Sequence, residues 1–129
     1  MKTINKNTKN VEIEFTPEIE DISPYDHLEK EDADNVCKEA EWNDYAWFCA
    51  KVEVTYNNLE ATEYLGGCSY KSENDFKENS GYYEDMVQTC IDEINKEITV
   101  INQDIQKRWE IRKAKRIAEK YGLMICTKI

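Results

Sequence analysis

The sequence predicts an α+β fold: a small antiparallel sheet, built from a β-hairpin plus an N-terminal strand, packed by a long C-terminal helix or helical hairpin. Three observations predict it. Residues 45–56, YAWFCAKVEVTY, are rich in β-branched and aromatic side chains, and Phe48, Ala50, Val52, Val54 and Tyr56 alternate with Cys49, Lys51, Glu53 and Thr55. Asn57 and Asn58 tolerate positive φ and supply a two-residue turn into a second strand. From about Tyr82 the period changes to steps of three and four, through Met86, Val87, Cys90, Ile91, Ile94, Ile98, Ile101 and Ile105.

Taken in order, residues 1–10 are polar and mildly basic and are expected to form a disordered tail. VEIEF follows, with Val11, Ile13 and Phe15 alternating as in a short strand. Pro17 and Pro24 punctuate an acidic loop to His27. Between Glu31 and Trp42, Ala33, Val36, Cys37 and Ala40 have helical spacing, with Asp32 as an N-cap. In the strand after the Asn57-Asn58 turn the alternation slips near Glu63, which suggests a bulge before Gly66 and Gly67, and CSY closes it. Ser72, three residues before Asp75, caps a helical turn, and Ser80 is a second N-cap, with Glu84 and Asp85 in the first turns that follow. The helical pattern runs on less cleanly through Trp109, Ile111, Ala114, Ile117, Ala118 and Tyr121, and Gly122 is a natural stop. A helix of that extent is about 60 Å long. It therefore either breaks near Asn102–Asp104 or places its distal half against another chain. The closing LMICTKI reads as a short strand or an apolar tail. The organisation expected is a tail over 1–10, an acidic α+β domain over 11–104 and a basic helical extension over 105–129.

A chain of 129 residues, 40% hydrophobic and 34% charged, is long enough for one packed core. It has no apolar run of membrane-spanning length and no secretory leader pattern, so a cytoplasmic protein without membrane contact is expected. The five cysteines, Cys37, Cys49, Cys68, Cys90 and Cys126, are scattered and never form CxxC. Neither a disulfide framework nor a zinc site is implied. His27 is the single histidine, which removes most catalytic triads. Cys49 and Cys68 can face each other across the hairpin, yet cysteines on strands are usually small packing residues. Gly66-Gly67 lacks the longer pattern of a phosphate loop. Asp75, Glu78, Glu84 and Asp85 lack calcium-loop spacing. No enzymatic activity and no cofactor are expected.

The charge distribution is the informative feature. Net charge is -10, but residues 1–104 hold 25 acidic and 9 basic side chains, net −16, whereas residues 105–129 hold 2 acidic and 8 basic, net +6. Three physical uses follow. Carboxylates on a rigid face can imitate a phosphate backbone and fill a basic groove. The basic helix can itself contact nucleic acid through Lys107, Arg108, Arg112, Lys115 and Arg116, although the acidic body opposes this. The third use is plain: the two blocks can pair with each other, within or between subunits, and basic residues complement a helix C-terminus. The aromatic residues, among them Trp42, Tyr45, Trp47, Tyr82 and Tyr83, lie beside carboxylates, where they suit an Arg-rich partner.

Three segments, AWFCAKVEVTY (46–56), YLGGCSYKSENDF (64–76) and GYYEDM (81–86), resemble a family of small, acidic, uncharacterised bacteriophage proteins. The resemblance spans roughly residues 42–95, implies an origin in a phage or prophage and carries no catalytic residue or cofactor. By analogy of class, it points to inhibitors of host defence such as anti-CRISPR or anti-restriction proteins. The function expected is therefore a non-enzymatic interaction protein that binds a basic, nucleic-acid-handling host protein through a DNA-mimicking face. Glu53, Glu60, Glu63, Glu73, Asp75 and Glu78 are expected to make the contacts, with Glu84 and Asp85 nearby. Because the Ile94, Ile98, Ile101, Ile105 stripe outruns a small domain, a homodimer along it is also expected, and a coiled-coil scaffold is an alternative role.

Overall fold

Side-chain alternation in three strands sets the architecture. The computed structural model describes residues 1–122; the expectation for LMICTKI lies outside them. Strands β1 (Val11–Glu18), β2 (Phe48–Tyr56) and β3 (Leu59–Cys68) form one antiparallel sheet in the order β1-β2-β3. Helix α1 (Lys30–Ala40) lies between β1 and β2, preceded by a 3-10 turn over Pro24–Asp26. Helices α2 (Glu73–Asn79) and α3 (Tyr82–Lys120) follow β3. The fold is α+β, as the sequence predicts.

Ile13 pairs with Val54, and Val54 with Ala61; Phe15 pairs with Val52. These residues share the inner face, and every second residue of β2 from Phe48 to Val54 is buried. Beneath them Phe76 of α2 is fully buried, with ring centroids 5.1 Å from Tyr70, 5.3 Å from Phe15 and 5.7 Å from Phe48. The first turns of α3 complete this core: Tyr83 meets Phe15 edge-on, and the Cys90 thiol donates to the Val52 carbonyl at 3.8 Å. Large rings at edge-to-face angles fill volume densely and add to simple area burial.

Several local expectations change. Residues 1–10 contain turns: Asn5 and Thr8 form reciprocal hydrogen bonds, Ile4 is buried, and the Met1 ammonium donates to Asn102 at 2.8 Å. Asn and Thr side chains close such tight turns on their own backbone. The N-cap of α1 is Glu29, without a side-chain bond, and Asp32 instead sits in the first turn, where a carboxylate complements the helix dipole. The Asn57 turn is confirmed by its φ of 54°. Ser72 caps α2 by accepting from the Asp75 amide at 3.1 Å. The strand irregularity lies after Leu65, where Gly66 and Gly67 together stand opposite Cys49. Gly67 adopts φ +66°, and its amide donates to the Glu20 carboxylate at 2.7 Å. The Trp47 indole, donating to the Ile22 carbonyl at 2.8 Å, holds the same loop.

Helix α3 is continuous over 39 residues. The break at Asn102–Asp104, and with it the helical hairpin, is not present, since nothing in that stretch removes a backbone donor or forces positive φ. The described residues divide into two compact units, residues 4–94 and residues 1–3 with 95–122.

Candidate functional site

Strand register assembles one acidic surface that is not apparent from linear order. On the outer face, Glu12, Thr55 and Glu60 form one cross-strand row, Glu14, Glu53 and Thr62 the next, and Thr16, Lys51 and Tyr64 the third, with Glu18 opposite Cys49 beyond. Rows are about 7 Å apart along the strands and neighbours about 5 Å apart across them. Five carboxylates thus share a face with one cation. Lys51 lies 3.5 Å from Glu18 and 3.8 Å from Glu53, and Tyr64, Glu18 and Glu53 hold its ammonium above the ordinary lysine range. Glu12, Glu14 and Glu60 make no ion pair among the described residues. Glu14 and Glu53 face each other directly, an arrangement that destabilises a sheet. Glu12, Glu14, Glu53 and Thr55 line a shallow depression there.

The eight carboxylates expected at the contact surface fall in different places. Glu53 and Glu60 belong to the outer face. Glu63 does not: it pairs with Val52 and so occupies an inner-face position, where its charge helps raise the Cys90 thiol. The apparent slip at Glu63 is a charged residue in an apolar register position of an edge strand, not a break in register. Glu73, Asp75 and Glu78 are on α2. Glu73 pairs with Lys77 at 3.6 Å. Asp75 accepts from the Lys71 amide at 3.0 Å and from Asn79 at 2.9 Å, and these bonds hold its carboxyl below the usual range. Its role is to fasten the start and end of α2. Glu84 and Asp85, in the first turn of α3, border another depression with Asn5, Lys6 and Asn7. Glu12, Glu14 and Glu18 are the residues that the sequence reading missed; the alternation of VEIEF carries the signal, because inward Val11, Ile13 and Phe15 send Glu12 and Glu14 outward.

Two further surfaces were expected to carry function. Of the isoleucine stripe, Ile94 and Ile98 are fully buried, whereas Ile105 is 50% exposed. Beyond it Lys107, Arg108, Arg112, Lys115 and Arg116 are all exposed on α3. Arg108 pairs with Asp104 at 3.0 Å, while Arg112, Lys113, Lys115 and Arg116 take part in no ion pair among the described residues.

Burial pushes the Cys68 and Cys90 thiols up to about 11, which leaves them protonated and weakly nucleophilic at neutral pH. Tyr25 is pushed up to about 12 by its hydrogen bond to Asp34. Among the described residues, no group of histidine, cysteine and carboxylate side chains is placed to hold a metal, and no helix is long and apolar enough to cross a membrane. No family model, curated protein or solved structure matches the chain.

Proposed function

We propose that this is a phage-encoded, non-enzymatic interaction protein acting in the host bacterial cytoplasm. Its outer sheet face binds a basic, nucleic-acid-handling host protein and blocks it, as anti-CRISPR or anti-restriction inhibitors do. The observation that carries the reading is the Glu14–Glu53 pair, flanked by Glu12 and Glu60 and offset, among the described residues, by Lys51. Like charges placed directly across a sheet cost stability, and a basic partner relieves that cost on binding. A sheet also holds carboxylates at fixed spacing, so little side-chain ordering remains to oppose association. The resemblance of residues 46–56, 64–76 and 81–86 to small acidic phage proteins supports the origin.

A pull-down from bacterial host lysate tests the reading, comparing the wild type with Glu12→Lys/Glu14→Lys/Glu53→Lys and adding duplex DNA as competitor. The expected result is capture of a nucleic-acid-binding protein that salt and DNA both displace and that the triple variant loses. Retention by the triple variant, or a partner indifferent to DNA, overturns it.

A further inference from the structure

The distal half of α3 presents an exposed face of opposite sign. At 3.6 residues per turn, Arg108, Arg112, Arg116 and Lys120 form one row in steps of four, with Lys115 beside it. Along the same side, Trp109 is 60% exposed. If these cations served only to neutralise the helix, Glu110 and Glu119 would hold them; yet neither carboxylate forms an ion pair among the described residues. The helix therefore carries unspent positive charge in a chain of net charge -10.

We propose that this face docks on the outer sheet face of a second copy of the chain, through Arg112, Lys115 and Arg116 against Glu12, Glu14 and Glu53. Charge complementarity selects this occupant. The cation row advances about 6 Å per step of four residues, and the Glu12 and Glu14–Glu53 rows lie about 7 Å apart, so two consecutive pairs stay in register. Exposed Trp109 and Tyr64, the latter 58% exposed on the outer face, add apolar area to the contact. Nucleic acid is the other polyanion that fits the helix, but residues 1–104, net −16, repel its uniform charge, whereas a second copy also carries residues 105–129, net +6, which those carboxylates attract. The contact differs from the isoleucine seam, because it joins two unlike surfaces. Occupied in this way, the outer face is closed to other basic partners until dilution or a stronger binder frees it. The self-contact itself does not depend on the host partner proposed above.

Sedimentation and light scattering of the purified full chain test it, so failure leaves the host-partner reading intact. The mass should rise with concentration at about 0.05 M salt and return to the 15.2 kDa protomer at about 0.5 M. Arg112→Glu/Lys115→Glu/Arg116→Glu changes exposed helix positions only and should stay a folded protomer by circular dichroism. Glu12→Lys/Glu14→Lys/Glu53→Lys should do the same, with Glu14→Gln/Glu53→Gln as a milder version that weakens association. Mixing the two triple variants should restore association, since each supplies the face that complements the other. A protomer at all concentrations in low salt overturns the proposal, as does association that either triple variant retains alone. Binding of duplex DNA by a wild type that does not self-associate, lost in the arginine variant, assigns the helix to nucleic acid instead.

Discussion

Asp75 illustrates how a charged side chain can fasten a short helix. Its carboxylate is engaged by the Lys71 amide and the Asn79 side chain, and these bonds lower its pKa from the ordinary 3.8. A lowered folded-state value means that the ionised form stabilises the fold. That contribution is fully present above 3.8 and is lost as pH falls through the depressed value. Thermal melts of the wild type and Asp75→Asn should differ by a constant amount near neutral pH, and the gap should close as pH drops below 3.8. A gap that widens in acid would show that Asp75 is not held by these bonds. Capping by Ser72 was legible because the chemistry is local: an oxygen three residues before an amide that has no helical partner. The position of Glu63 was not legible, because a strand residue's face is set by the partner strand to which it pairs.

Among the elements, α3 departs most from expectation. Its apolar positions do not form one stripe: Ile94, Ile98, Ile101, Ile105 and Trp109 fall within an arc of about 80°, while Ile111, Ala114, Ile117 and Tyr121 lie on the opposite side at 100° per residue. Summed along the helix, the two faces cancel, which is why the pattern reads less cleanly past Asp104. Burial separates members of the stripe that the sequence makes look equivalent. Ile98 is 0% exposed and Ile105 is 50% exposed. Ile98→Ala should therefore destabilise the chain by about 2–5 kcal/mol in urea unfolding, and Ile105→Ala by about 1 kcal/mol or less. Equal losses would mean that Ile105 is covered in solution, as a seam along the stripe requires.

For the whole molecule, the question is whether the acidic face serves stability or binding, and Glu14 separates the two. Glu14→Lys replaces repulsion with attraction across from Glu53 and should raise unfolding free energy by about 0.2–1 kcal/mol. Salt at about 0.5 M should shrink that gain. The same variant should weaken capture of a basic partner. A variant that is both less stable and fully able to bind would show that the carboxylate has a structural role instead. The face itself is a product of register: Glu12, Glu14, Glu53 and Glu60 come from three strands, and only pairing makes them neighbours.

By itself, the sequence determined what depends on neighbours along the chain: the alternation of β2, the positive φ at Asn57, the cap at Ser72 and the segregation of charge about residue 104. These follow from side-chain geometry over two to four residues, where distance in sequence equals distance in space. Only the tertiary structure decided which carboxylates share a face and which isoleucines are already buried. Each of those depends on contacts between residues far apart in sequence, whose register and burial are set when the elements pack together.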